Sequence, residues 1–378
     1  MSGGDPGRRS SGRGARAVGL AAALALALAA LALTAAPAAA TGPERALDRF
    51  LDRSWPAQAG GTILAARGDR LAACRGIGMA DRAAKVPAGC DTVYDLMSIT
   101  KQFTAAAILK LESIGRLRVS DPIGRFVGPV PADKRGITLH HLLAHTSGLP
   151  EAIGDDYEPR TREQLVEGAL RSRLRAAPGR AFHYSNAGFS LLAAVVEEAS
   201  GMGYEQFLAE HLFAPAGMTQ TGYVLPEWRR DRVAVEYDAR GRSQGRPFEH
   251  PWAHDGPHWN LRGNGGMLST ARDMFRWHRA LRGDKVLNRR AKRRLFAPRA
   301  PIGEGFRSGY GWAVGRTADG RIATHSGGNG WSYGVVARFL DDGAMVFWIS
   351  NQAARTRRWN LQARARDLTL RIAEAVRP

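Results

Sequence analysis

The sequence predicts an α/β (α+β) chain: one antiparallel sheet with flanking N- and C-terminal helices plus an inserted, mainly helical domain. Three observations predict it. A hairpin pattern stands early, at residues 61–66 and 71–74. The stretch from 98 to about 300 reads mainly as helices joined by long loops. Four strand-like runs and a last helix then close the chain. Strands from the two ends can share one sheet only if the helical middle is an insertion. The expected boundaries are 41–115 with 301–378 for a discontinuous sheet domain, and 116–300 for the helical insert.

Residues 1–40 stand apart from this fold. Arg8, Arg9, Arg13 and Arg16 precede an Ala/Leu run over 18–33, and Ala36-Pro37-Ala38-Ala39-Ala40 offers an A-x-A cleavage site. This pattern predicts an export signal with Thr41 as the new terminus, and a secreted, periplasmic or cell-envelope destination. An uncleaved membrane anchor is the alternative, although the run is short for a spanning helix. Arg8-Arg9 leaves the general and twin-arginine routes both open.

The folded part is then taken in order. Residues 43–53 predict a helix with Leu47, Phe50 and Leu51 on one face. Arg67-Gly68-Asp69-Arg70 turns the first hairpin, and 76–89 reads as loop. A helix runs from Ser98 to near Gly115. Further helices are expected at 138–145, from 161, at 186–199, 204–212 and 270–281, with Thr138 and Thr270 as N-caps. Strands are expected at 310–314, 321–325, 333–339 and 345–349, with Asp341-Asp342-Gly343 as a hairpin turn. The final helix is expected at 361–376.

The formal charge is +19, and the signal accounts for +3 of it. A basic exported chain can associate electrostatically with an anionic cell envelope. No nucleic-acid module is visible, so no nucleic-acid partner is expected. The two cysteines, Cys74 and Cys90, both lie in the mature chain; a disulfide between them is left open, because spacing alone does not bring two Cβ atoms together. His140, His141 and His145, and His250, His254 and His258, lack a carboxylate or cysteine pattern beside them. Packing or surface roles are expected there, with no metal and no organic cofactor. Trp252, Trp259 and Trp331 are candidates for a cleft wall.

Chemistry concentrates at Ser98-Ile99-Thr100-Lys101. Residues three apart on a helix share a face. A serine oxygen and a lysine nitrogen can therefore meet, and a desolvated lysine can take the serine proton. In Tyr184-Ser185-Asn186, a tyrosine beside a lysine would have its phenolate favoured and could shuttle protons. Asn186 could hold a substrate carbonyl and orient Lys101. In His325-Ser326-Gly327-Gly328, a glycine-bearing strand lets substrate lie close to the backbone. Backbone N–H groups there could join that of Ser98 in an oxyanion hole. Asn264-Gly265-Gly266 and the residues after it read as a turn and a capped helix.

Together these three motifs, in this order, resemble the serine β-lactamase and penicillin-binding-protein superfamily. The branch resembled is the class C-like one, with class C β-lactamases, D-alanyl-D-alanine carboxypeptidases, D-aminopeptidases and esterases. The resemblance runs from about residue 45 to 372, and the segments 142–150 and 265–271 share in it. It implies a β-lactamase-like fold and an acyl-enzyme serine hydrolase. Ser98, Lys101 and Tyr184 are implied as catalytic, and Asn186, His325 and Gly327 as substrate-binding. The N–H groups of Ser98 and Gly328 are implied as the oxyanion hole. His325 stands where a lysine would supply a fixed charge, which points away from a dedicated β-lactamase. The expected substrate is a small molecule or peptide, with peptidoglycan-derived peptides among the candidates. A D-Ala-D-Ala carboxypeptidase-like enzyme or a D-amino-acid peptidase or amidase is expected. An esterase, a weak β-lactamase and a non-hydrolysing β-lactam or peptidoglycan sensor are the alternatives.

Overall fold

The structure, a computed structural model, describes Met1 and residues 42–55, 59–353 and 360–376. The expected export signal and the terminus at Thr41 lie, Met1 apart, outside the described residues, as does the side chain of Phe50. Among the described residues no helix is long and apolar enough to cross a membrane.

Helix α1 (Gly42–Ser54) leads into the hairpin of β1 (Gly61–Arg67) and β2 (Arg70–Ile77). After the middle of the chain come β3 (Pro301–Gly303), β4 (Phe306–Ser308), β5 (Ala313–Thr317), β6 (Gly320–Gly328), β7 (Tyr333–Phe339) and β8 (Ala344–Ser350). Among the described residues they form one eight-stranded sheet in the order β2-β1-β8-β7-β6-β5-β4-β3. The first hairpin joins through β1, which pairs antiparallel with β8 from Gly61↔Ser350 to Arg67↔Ala344. The two ends of the chain thus meet in the middle of one sheet, as the early hairpin and late meander predict.

The strands β7 and β8 are buried along their whole length, and β1 along all but its last residue. Both sheet faces are covered, so these strands read as unbroken apolar runs rather than as alternation. On one face Ile63, Val346 and Trp348 pack with Leu47 of α1 and with Leu368 and Ile372 of α5 (Leu361–Val376). On the other, Leu64, Phe347 and Ile349 join a core that includes Phe103 of α2 (Lys101–Ser113) and Trp277 of α4 (Ala271–Arg282). Helix α2 is buried almost all round, because α3 (Asn186–Ser200) packs beside it.

Several sequence-based boundaries shift. Ser98 lies in a 3-10 turn, Met97–Thr100, and the α-helix begins at Lys101. The expected loop 76–89 holds a small hairpin, Met79–Asp81 with Val86–Pro87. The expected strand at 310–314 starts later, at Ala313, because Gly309 bonds back to Trp312 in a turn. Strands β3 and β4 carry charged and glycine residues at the sheet edge, and the sequence reading passes over them. Cys74 and Cys90 form a disulfide, with their Cα atoms 6.1 Å apart.

Candidate active site

Four segments meet at Ser98: its own 3-10 turn, the loop before α3, the loop Asn260–Met267 and the end of β6. The strand Val93–Asp95 pairs with Leu268–Thr270, and Leu96 N–H donates to Met267 O at 2.8 Å. The residue before Ser98, Met97, takes φ 51°. A side chain in that region is strained and needs its surroundings to hold it. Asp95 supplies part of the hold, since its Oδ1 accepts from Met97 N–H at 2.6 Å.

Lys101 is fully buried. Its Nζ donates to Ser98 Oγ at 3.1 Å and to Asn264 O at 2.8 Å. It lies 4.8 Å from the centre of the Tyr184 ring. Burial pushes its pKa down to about 7, with Asp156 and Glu151 acting the other way. A large share of Lys101 is therefore neutral near pH 7 and can accept a proton. Tyr184 O–H donates to Ser98 Oγ at 3.0 Å. The expected phenolate at Tyr184 does not hold. Burial pushes its pKa above the usual tyrosine range, and the Lys101 amine faces the ring rather than the oxygen. In this arrangement the Tyr184 hydroxyl donates to Ser98 Oγ, and Lys101 is the neighbouring group able to accept a proton.

Asn186 begins α3, with Ser185 as the capping residue whose Oγ accepts from Gly188 N–H. Its Oδ1 is buried and, among the described residues, has no hydrogen-bond partner. The expected Asn186 hold on Lys101 is therefore replaced by the Asn264 carbonyl. The turn at Asn264 lies 163 residues from Lys101 in sequence, and nothing local marks that carbonyl as a lysine acceptor.

His145 is the other residue that sequence reasoning did not assign to the site. Its ring stacks on Tyr184 at 4.6 Å, and its Nδ1 accepts from Ser185 N–H at 3.1 Å. Burial, then Lys101, hold its pKa well below the usual histidine value, so it stays neutral. It thereby fixes the Tyr184 loop against the end of the helix Leu139–Leu143. Its place inside the 142–150 segment was the available signal.

His325 sits on β6, with its Nδ1 2.7 Å from Ser326 O. A carbonyl only accepts, so Nδ1 carries the proton and Nε2 is left as an acceptor. Burial, then Lys101, push it down to about 4. Gly327 runs against the nucleophile turn: a Cβ there would lie 2.5 Å from Leu96 O and 3.1 Å from Ser98 N. Only a glycine lets the strand come this close. Gly328 is the last residue of β6 and pairs with Tyr333. Beyond it, Asn329 Nδ2 donates to Glu236 Oε1 at 2.7 Å, and Ser332 Oγ donates to the same oxygen at 2.6 Å. Glu236 and Asp95 are both buried. Burial, then Glu236, raise the Asp95 pKa well above the carboxylate range.

Among the other histidines, His250 lies between Trp331 at 4.6 Å and Tyr157 at 4.6 Å, ring centre to ring centre. His140 Nδ1 is 2.7 Å from the Tyr310 hydroxyl, and His141 Nδ1 accepts from Thr138 N–H.

Comparisons with known proteins show the family and the fold. The Beta-lactamase family model matches residues 47–371. Penicillin-binding protein 4* of Bacillus subtilis is 31% identical over 319 residues, covering 79% of this chain and 69% of that protein. The D-alanyl-D-alanine-carboxypeptidase/endopeptidase AmpH of Escherichia coli is 29% identical over 309 residues, covering 75% of this chain and 77% of its own. The crystal structure of D-amino acid amidase from Ochrobactrum anthropi superposes with a TM-score of 0.71 at 22% identity, over 89% of this chain and 98% of that one. At that identity the likeness carries the fold alone. With the fold, the match and the Ser98–Lys101–Tyr184 contact in one place, this chain belongs to the β-lactamase family within the serine β-lactamase and penicillin-binding-protein superfamily.

Proposed function

We propose that this serine hydrolase acts through an acyl-enzyme at Ser98 on an amide or ester of the D-amino-acid type. Its substrates are those of a D-Ala-D-Ala carboxypeptidase-like enzyme or a D-amino-acid peptidase or amidase. The observation that carries the reading is the double contact at Ser98 Oγ, from Lys101 Nζ at 3.1 Å and Tyr184 O–H at 3.0 Å. Neutral Lys101 takes the Ser98 proton as Oγ bonds to the substrate carbonyl carbon. The carbonyl oxygen gains the negative charge, which the N–H groups of Ser98 and Gly328 receive. The bond to the leaving nitrogen or oxygen then breaks, and the Tyr184 phenol protonates that atom. The Lys101 proton restores Tyr184. Water, deprotonated along the same route, attacks the acyl carbon and releases Ser98. Asn186 and His325 position the substrate.

The relative named as a D-alanyl-D-alanine-carboxypeptidase/endopeptidase supports this substrate class. Export through residues 1–40 is part of the proposal, and the Cys74–Cys90 disulfide supports an oxidising destination. Esterase activity is the second reading, favoured by the uncharged His325. Intact-mass measurement after treatment with a fluorophosphonate and with benzylpenicillin tests the nucleophile: a single adduct absent from Ser98→Ala is expected, and no adduct with either reagent sinks the reading. Hydrolysis of a D-Ala-D-Ala peptide, a D-amino-acid amide, a chromogenic ester and nitrocefin, side by side, separates the activities. Labelling of Ser98 with turnover of none of the four identifies a non-hydrolysing binding protein.

A further inference from the structure

The two N–H groups proposed to receive the oxyanion, those of Ser98 and Gly328, belong to segments far apart in the chain. Each has a sequence neighbour held by a buried carboxyl. Met97, before Ser98, donates its N–H to Asp95 Oδ1 at 2.6 Å. Asn329, after Gly328, donates through Nδ2 to Glu236 Oε1 at 2.7 Å. The direction of the Asn329 amide is fixed. Its Oδ1 accepts from Trp331 N–H at 3.1 Å and from Ser332 N–H at 2.8 Å, so Nδ2 is the end that faces the carboxyls. The same Nδ2 stands 3.5 Å from Asp95 Oδ2. One amide thus reaches both carboxyls and joins the two holds. Backbone pairing brings the carboxyls together: Val233 bridges Val93, and Ala234 N–H donates to Val93 O at 2.9 Å. The chain leading to Glu236 therefore runs beside the strand that ends in Asp95.

Two buried carboxyls sharing one amide nitrogen are costly to charge together. Their donors show where the single charge sits. Glu236 Oε1 accepts from both Asn329 and Ser332, and Oε2 lies 3.3 Å from His250 Nε2. Asp95 receives one short bond, from Met97, while burial, Glu236 and Asp156 all favour its protonated form. Tyr157 also faces the pair; burial and these carboxyls push its pKa up, so it stays neutral. Near pH 7 the pair carries its charge on Glu236 and its proton on Asp95.

The hold matters because Met97, at φ 51°, is strained and relaxes unless its surroundings prevent it. If Met97 turns, the peptide that carries the Ser98 N–H turns with it. We propose that Asp95 and Glu236, joined through Asn329, are positioning residues that set the spacing of the Ser98 and Gly328 N–H groups. Neither carboxyl touches substrate; each acts through the residue beside an oxyanion donor. The inference rests on the acyl-enzyme reading and deepens it.

The test compares labelling of Ser98 in the full chain by a fluorophosphonate and by its P=S analogue. In both, Oγ bonds to phosphorus, fluoride leaves with the bonding pair, and Lys101 takes the Ser98 proton. The phosphoryl oxygen accepts from the two N–H groups, whereas sulfur is a weak acceptor. The oxygen-to-sulfur rate ratio therefore reads the oxyanion hole, while partial unfolding slows both reagents alike. Asp95→Ala and Glu236→Ala should each lower this ratio about tenfold. Asp95→Asn, neutral like the protonated acid and still an acceptor for Met97 N–H, should restore most of it. Asn329→Ala, at a half-buried loop position, should lower it too, and decides the matter if the other alanine variants do not fold. A native ratio in the folded alanine variants, or an Asp95→Asn ratio as low as that of Asp95→Ala, overturns the proposal. A native chain that neither reagent labels loses the acyl-enzyme reading; a labelled chain with unchanged ratios loses the positioning role alone.

Discussion

Lys101 is the residue on which the proposed chemistry turns. A lysine with no exposed surface is costly to keep charged, and burial lowers its pKa to about 7. Two consequences follow with a defined sign. Acylation of Ser98 should rise with pH and level off above about 7, as Lys101 loses its proton and becomes a base. The folded chain also binds one proton fewer than the unfolded chain between about pH 7 and the ordinary lysine pKa. In that window stability contributed by this group increases with pH, by about 1 kcal/mol per unit. Wild type should therefore gain on Lys101→Met as pH goes from 7 to 9, and the two should run parallel below pH 6. Urea denaturation at four pH values measures it. A pH-independent difference between the two proteins would mean that Lys101 titrates as an ordinary surface lysine.

At the level of the element, β6 and the nucleophile turn are held at backbone contact. Gly327 leaves no room for a methyl group between the strand and Leu96-Met97-Ser98. The same junction is tied on either side by side chains: Asp95 bonds Met97 N–H, and Asn329 bonds Glu236. Gly327→Ala should push the strand away from Ser98. We expect fluorophosphonate labelling to slow by more than about 100-fold, a barrier change of about 3 kcal/mol, and stability to fall by about 1–3 kcal/mol. Labelling of this variant at the native rate would show that the strand and the turn are not in the close register described. Local sequence carried part of this: glycines after His325 mark a close approach, but what approaches them lies more than two hundred residues earlier.

For the whole molecule, the two chain ends share a sheet and the middle supplies the cleft. The Cys74–Cys90 disulfide ties β2 to the segment that leads into the nucleophile turn. Closing a loop of 16 residues restricts the unfolded chain, and such a bond is worth about 3 kcal/mol. The Cys74→Ala, Cys90→Ala double variant should lose about 2–4 kcal/mol in urea denaturation and keep the fluorophosphonate reactivity of Ser98, because neither cysteine touches the site. Loss of labelling in a folded double variant would place the disulfide in the support of the nucleophile turn instead.

The sequence by itself determined the fold class and the hairpin-to-meander topology, and it singled out Ser98, Lys101 and Tyr184, whose side chains the fold brings into contact. Strand and helix periodicities and short motifs are local, so they can be read along the chain. Tertiary structure alone decided the protonation preferences: burial lowers the Lys101 pKa and raises that of Tyr184, which no spacing reveals. It also decided the hold of the Asn264 carbonyl on Lys101, the stack of His145 on Tyr184, and the disulfide that sequence left open. Each of these is a contact between distant segments, and its energy exists only once the chain has brought them together and shed the water between them.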